Sequence, residues 1–146
     1  MRVWAAIALF CVGLSLDGAA WALAQGTRTL DLRASLRSGG SQSNENDFRG
    51  ADLSHLDLSY ENLDGADLRY ANLRYTILVG ASLLGSDLLG SSLKWAQLDY
   101  ADLQESRMRK ADLRSASLIG SDLRFADLRR ANLMAADLRA VDFRSA

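Results

Sequence analysis

The 146 residues are enough for one domain with a full core, and a formal net charge of −1 is not that of a strongly basic nucleic-acid-binding protein. The single cysteine, Cys11, excludes an intrachain disulfide and a cysteine metal cluster, and the single histidine, His55, has no identifiable partner for acid-base catalysis. We therefore expect a protein that is not an enzyme and that carries no cofactor.

Residues 1–24 have the pattern of a secretory signal. Arg2 supplies a positive start, an apolar run of thirteen residues follows over 4–16, and Ala22-Leu23-Ala24 is a small-x-small cleavage site. The run is too short to span a bilayer, so we expect cleavage before Gln25 and no integral membrane segment. The pattern predicts an exported protein, either periplasmic or extracellular.

Residues 25–45 form a polar leader. Leu30 and Leu32 alternate with polar residues as in a strand, whereas Leu32 and Leu36 followed by Gly39 fit a short helix and its stop. We favour a short helix that caps the segment after it, and a strand is the alternative.

From residue 46 to residue 145 one five-residue phrase occurs twenty times without an insertion, as in Ala66-Asp67-Leu68-Arg69-Tyr70 and Ala126-Asp127-Leu128-Arg129-Arg130. We number its positions one to five, with the leucine at position three. A period of five fits neither a helix nor a long alternating strand, so the chain turns once per repeat, which is typical of a solenoid. Positions one and three are predicted to point inward and position five to form the corner.

The run resembles the pentapeptide-repeat family, whose motif is A(D/N)LXX. Over residues 46–145 the resemblance implies an all-β fold: a right-handed, quadrilateral (four-sided) parallel β-helix with twenty residues per coil and about five coils. Departures at position one, such as Asn46 and Glu61 near the start and Val141 near the end, are predicted to lie in open end coils. A functional buried acid is the alternative for Glu61.

Charge is uneven along the predicted rod. Residues 46–105 contain 4 basic and 10 acidic side chains, and residues 106–146 contain 9 basic and 5 acidic ones. With twenty residues per coil, the segments 86–90, 106–110 and 126–130 lie above one another. Five cations there form the first candidate site, which we call the basic surface: Arg107, Arg109, Lys110, Arg129 and Arg130. Its predicted ligand is a protein or an anionic envelope component, and a solvated face without a ligand is the alternative.

Two secondary surfaces are also candidates. The aromatic column consists of His55, Tyr75 and Trp95, which share one corner. Its rings are predicted to stack, either to stabilise the coils or to bind sugar rings. The apolar belt consists of Ile77, Val79, Leu84 and Leu89, which are predicted to point outward in a nearly uncharged stretch. The belt is either a contact surface or a set of scattered apolar side chains.

Aspartates also stack in the predicted coils, as at Asp47, Asp67 and Asp87. Ladders of oxygen ligands can hold calcium. Arg49 and Arg69 follow two residues later and neutralise them, so we predict no metal site.

These features favour a non-enzymatic, exported binding or scaffold protein. Two alternatives stay open. The resemblance implies one of them, because some relatives mimic DNA and bind type II topoisomerases through a strongly acidic surface. The other is a carbohydrate-active envelope protein. Relatives often dimerise through their terminal coils, and we expect a tail-to-tail homodimer through the C-terminal coil, where Leu138 and Phe143 lie.

Overall fold

The computed structural model describes residues 46–146, which form a regular succession of turns and single-residue β-bridges. Within that range no helix occurs, and every bridged residue stands at position two of a repeat, from Asp47 to Asp142. The predicted signal segment, residues 1–24, and the polar leader, residues 25–45, lie outside the described residues.

Parallel bridges join each position-two residue to the residue twenty positions later, from Asp47 with Asp67 to Asp122 with Asp142. Backbone hydrogen bonds reinforce this register, as where the Phe48 N–H donates to the Asp67 carbonyl at 2.8 Å. The predicted coil length of twenty residues is therefore confirmed. We number the coils from residue 46, so that coils 1 to 5 are 46–65, 66–85, 86–105, 106–125 and 126–145.

Each coil turns once per repeat. The N–H of a position-one residue donates to the position-three carbonyl before it, as from Ala51 to Phe48 at 3.1 Å. Position five has a positive φ in every repeat, between +56° at Glu105 and +67° at Gly120. A positive φ at the second central residue and not at the first is a feature of a type II turn. Position four therefore shares the corner that the sequence assigned to position five alone, because a four-residue turn has two central residues.

Fourteen of the twenty corner residues carry side chains in this left-handed conformation, and six are glycine. Left-handed backbone costs a side-chain-bearing residue roughly 1–2 kcal/mol. Three of the glycines also have a packing reason, and at Gly90 a Cβ atom would lie 2.9 Å from the Tyr70 ring. A Cβ atom on Gly80 would lie 2.7 Å from the Tyr60 ring, and one on Gly120 would lie 2.7 Å from the Tyr100 ring. These tyrosines thus fold over the glycine of the following coil.

The core is a column of leucines. The position-three side chains from Leu53 to Leu123 are at most 3% exposed, and small residues at position one fill the space between them. In coil 5 Leu138 is only half-buried and Phe143 is 37% exposed. An apolar layer is thus open at this end, while the homodimer through it stays a prediction. At the other end Glu61 is half-buried and not enclosed, which fits the predicted open first coil.

Five hydroxyl side chains at position one are fully enclosed: Thr76, Ser86, Ser91, Ser106 and Ser121. Three of these hydroxyls donate to backbone carbonyls: Thr76 to Leu53 at 2.9 Å, Ser91 to Leu88 at 2.9 Å, and Ser121 to Leu118 at 2.8 Å. Within residues 46–146 the hydroxyls of Ser86 and Ser106 have no hydrogen-bond partner.

We predict that Ser106→Ala stabilises the protein. An unpaired buried hydroxyl costs about 1–3 kcal/mol, and alanine is the usual residue of this position, so the free energy of unfolding should rise by about 1 kcal/mol. Urea unfolding measures the change. Ser121→Ala is the matched control, because it removes a hydroxyl that is hydrogen-bonded. A loss of stability in Ser106→Ala equal to that in Ser121→Ala would contradict the assignment.

Candidate binding surface

Seven repeats pair an aspartate at position two with an arginine at position four in the same geometry. In one of them the Asp127 carboxylate accepts the Arg129 backbone N–H at 3.2 Å, Nε at 2.8 Å and Nη2 at 2.6 Å. The other six pairs are Asp47 with Arg49, Asp67 with Arg69, Asp112 with Arg114, Asp122 with Arg124, Asp137 with Arg139 and Asp142 with Arg144. The backbone and side chain of the arginine thus bind one carboxylate together, and each pair is locally neutral.

The pairing holds these carboxylates in their charged form. The Arg129 guanidinium lowers the pKa of Asp127 to about 2. At Asp112 the hydrogen bond from Arg114 and a second one from Lys94, whose Nζ lies 3.2 Å away, lower the pKa of the carboxyl to about 2. The paired faces of the rod therefore present neutral ion pairs and little net charge at neutral pH.

The basic surface departs from this pattern in coil 4. Arg107 occupies position two, so Arg109 at position four has no aspartate in its own repeat. The Arg109 Nε lies 3.9 Å from an Asp127 carboxylate oxygen that Arg129 already holds at 2.6 Å. The Arg107 Nη1 lies 4.0 Å from the Asp87 carboxylate. Both contacts are at the outer limit of an ion pair.

The neighbouring corner adds two more cations. Lys110 and Arg130 stand at position five of successive coils, where their backbones are left-handed. Among residues 46–146 neither has a carboxylate oxygen within 4.0 Å of its charged group. This side of the C-terminal half therefore carries a surplus of positive charge.

A shallow depression of about 330 Å³ lies on this face. Its lining residues are Asp87, Leu89, Arg107, Arg109, Asp127 and Arg129. The structure thus brings Arg107, Arg109 and Arg129 together, and it leaves Lys110 and Arg130 outside the lining. Asp87 was not part of the predicted basic surface, although it stands one coil before Arg107 at the same repeat position.

The aromatic column is present as a stack. The ring centroids of His55 and Tyr75 are 4.8 Å apart at an interplanar angle of 14°, and those of Tyr75 and Trp95 are 4.9 Å apart at 4°. The Arg74 guanidinium lies 5.1 Å from the Trp95 ring centroid. Both faces of Tyr75 are therefore covered by neighbouring rings. Because sugar binding needs an open ring face, this geometry favours a stabilising role.

The apolar belt is less exposed than its pattern suggested. Leu84 is 40% exposed, whereas Ile77, Val79 and Leu89 are half-buried against neighbouring coils. Leu89 lines the depression of the basic surface. The belt thus presents one strongly exposed side chain instead of a continuous apolar patch.

Over residues 46–146 no three potential ligand residues of the His, Cys, Asp or Glu types are grouped so that they could hold a metal ion. Over the same part of the chain, no helix has the length and apolar character that a membrane span requires.

The repeat pattern and the fold agree with a comparison to protein families. The family model described as pentapeptide repeats matches residues 47–85, 76–114 and 111–146 with 8 copies. The chain belongs to the pentapeptide repeat family. Proteins of this family fold as right-handed quadrilateral β-helices, so the predicted handedness and four sides apply to this pentapeptide repeat protein.

Several solved pentapeptide repeat structures are similar. A protein from the thylakoid lumen of Arabidopsis thaliana is 29% identical over 74% of this chain and 79% of its own, with a TM-score of 0.66. A protein from Nostoc PCC 7120 is 31% identical over 74% of each chain, with a TM-score of 0.27. QnrB1, a plasmid-mediated fluoroquinolone resistance protein, is 21% identical over 66% of this chain and 67% of its own, with a TM-score of 0.20. No curated protein sequence matches the chain.

We predict that Tyr75→Ala destabilises this pentapeptide repeat protein by about 1–3 kcal/mol, because the change removes two stacked ring pairs worth roughly 0.5–1.5 kcal/mol each. Because alanine has the same strain as tyrosine in the left-handed conformation, the loss of unfolding free energy measures the contribution of the ring stacking. Urea unfolding is the measurement. Ser115→Ala, at the same corner two coils later, is the control and should change stability by less than about 0.5 kcal/mol. Equal effects of the two changes would contradict a stabilising stack.

We predict that Asp112→Asn lowers stability at neutral pH but not in strong acid. The ion pairs lower the pKa of Asp112 from 3.8 to about 2. Its contribution is therefore complete above pH 4 and is lost as the pH falls through 2. Unfolding free energies measured between pH 7 and pH 2 should show the difference from the wild type shrink across that window. Gln97→Asn, an uncharged change at the same repeat position, should differ from the wild type by a constant amount.

Proposed function

We propose that this pentapeptide repeat protein is a non-enzymatic, exported binding protein that holds an acidic partner on its basic surface. The observation that carries the proposal is the unequal pairing of arginines. Seven arginines are bound by an aspartate of their own repeat, at Nη2 to Oδ2 distances of 2.6–2.9 Å. Among residues 46–146, by contrast, the ion-pair contacts of Arg107 and Arg109 are as long as 4.0 Å and 3.9 Å. Cations without a close internal partner are available to an external anion.

Export is supported by two separate facts. Residues 1–24 carry a positive start, an apolar run and a small-x-small site, which is the pattern of a signal peptide. The similar Arabidopsis thaliana protein comes from the thylakoid lumen, a compartment that lies across a membrane from the stroma. An exported protein would meet its partner in the periplasm or outside the cell.

The alternatives have less support in the geometry. A mimic of DNA needs a strongly acidic surface along the rod. Here seven aspartates are neutralised by arginines of their own repeats, and residues 106–146 carry 9 basic against 5 acidic side chains, so the acidic excess is confined to residues 46–105. A carbohydrate-active protein would need open aromatic faces, and in the aromatic column Tyr75 is covered on both sides. We therefore place the site on the basic surface.

A crosslinking pull-down from envelope fractions tests the proposal, with the full chain carrying a C-terminal tag. We compare the wild type with a triple variant of the basic surface, Arg107→Gln, Arg109→Gln and Lys110→Gln. A partner should be captured by the wild type and reduced by at least about tenfold with the variant, because charge-assisted hydrogen bonds to the anion are lost. Sequencing of the exported chain should find Gln25 at its amino terminus.

The matched control is Arg124→Gln, Arg139→Gln and Arg144→Gln, which removes the same number of charges. These arginines lie on other faces and are paired with their own aspartates at 2.6–2.8 Å. The control should capture the partner as well as the wild type does. Equal loss in both variants, capture that neither change affects, or a chain that stays in the cytoplasm would each contradict the proposal.

A further inference from the structure

The repeat 106–110 keeps a carboxylate-binding arginine but lacks the carboxylate. In seven other repeats the position-four arginine binds an aspartate two residues earlier through its backbone N–H, at 3.1–3.3 Å, and through its guanidinium. Arg109 stands at position four of its repeat, and Arg107 replaces the aspartate. The repeat therefore has the arginine that would bind a carboxylate, but it has no carboxylate of its own at position two.

The donors of Arg109 are also not taken up elsewhere. Over residues 46–146 its backbone N–H has no acceptor. The Asp127 oxygen that lies 3.9 Å from its Nε is held by Arg129 at 2.6 Å. Its side chain is 50% exposed, and that of Arg107 is 73% exposed, so both can be reached from solvent.

We propose that Arg107 and Arg109 form a receptor for a carboxylate group of an acidic polypeptide. The carboxylate of an aspartate or glutamate side chain takes the place of the aspartate that the repeat lacks. It accepts hydrogen bonds from the Arg109 backbone and guanidinium, while Arg107 adds a second positive charge. This inference rests on the proposed function and names the chemistry of its partner.

Two features of the depression and one of the other repeats favour a carboxylate over a phosphate as the ligand. Asp87 and Asp127 line it, and their two negative charges repel a dianionic phosphate more than a monoanionic carboxylate. Leu89 forms an apolar part of the wall, against which the methylene groups of a glutamate can pack. The same backbone geometry binds the carboxylate of an aspartate in seven other repeats of the rod.

The test measures binding of a fluorescently labelled octaglutamate peptide to the full chain by fluorescence anisotropy at an ionic strength of about 0.15 M, where the Debye length is about 8 Å. Arg107→Asp should weaken binding by at least about tenfold. The new aspartate forms an ion pair with Arg109 and so takes up the hydrogen-bond donors that would bind the peptide. The control Arg139→Asp makes the same change of charge at an arginine that is 75% exposed on another face. It should weaken binding by less than about threefold, since distant exposed charges are screened.

The Arg107→Asp variant is expected to fold, so misfolding would not explain a loss of binding. It restores the aspartate and arginine pattern that seven repeats of this rod already use. Its thermal unfolding midpoint should therefore equal or exceed that of the wild type, and a loss of binding then reports the closed receptor. An Arg109→Lys variant keeps the charge but loses bidentate geometry, and it should also bind octaglutamate more weakly than the wild type.

The outcomes separate this inference from the proposed function. Equal weakening by Arg107→Asp and Arg139→Asp would overturn the receptor, because the attraction would then depend on net charge alone. Tighter binding of an octaphosphoserine peptide would overturn the choice of a carboxylate. If octaglutamate binds as expected but the envelope pull-down captures no partner, the receptor stands and the proposed function fails. If a partner is captured through the basic surface while octaglutamate ignores Arg107→Asp, the proposed function stands and the receptor fails.

Discussion

The structure depends on the backbone hydrogen bonds between residues of successive coils. Position-two residues pair in parallel at a separation of twenty, and the N–H groups at positions three and five donate to the next coil. This ladder sets the distance at which every surface side chain meets its neighbour above and below. It also offsets the strain of fourteen side-chain-bearing residues in the left-handed conformation. The aromatic column and the ion pairs between neighbouring coils are consequences of this register.

Because of this register, similar side chains recur at regular positions on the surface. A change of residue type in one repeat therefore makes that part of the surface differ from the rest. An aspartate and an arginine two residues later form an ion pair with each other. Such a repeat therefore has no free charge with which to bind a ligand. One substitution, Arg107 at the position of the aspartate, leaves Arg109 without a close partner and shifts the local charge by two units. The neighbours Asp87 and Leu89 then shape the depression. In the receptor proposed here, the candidate site arises because one repeat lacks the local ion pair, without a new element of structure.

Much of this site was accessible from the sequence. The cations of the basic surface followed from a period of twenty, and His55, Tyr75 and Trp95 were placed in one column. Arg107 was also recognisable as a cation where aspartate is usual. The pairing of Asp47 with Arg49 and of Asp67 with Arg69 was also expected, whereas the contact of Lys94 with Asp112 in the next coil was not. The exposure of the apolar belt came only from the structure, in which Leu84 is exposed and Ile77, Val79 and Leu89 are half-buried.

The sequence by itself determined the repeat length, the inward leucines and the family, because a period of five leaves few ways to bury one large residue per repeat. The tertiary structure decided the turn, which places position four in the corner, and the ion pairs between coils. It alone showed that, within residues 46–146, the buried hydroxyls of Ser86 and Ser106 have no hydrogen-bond partner, whereas that of Ser121 donates to the Leu118 carbonyl. The ion pairs between coils, such as Lys94 with Asp112 and Arg107 with Asp87, join residues about twenty positions apart, whose contacts exist only once the coils have stacked.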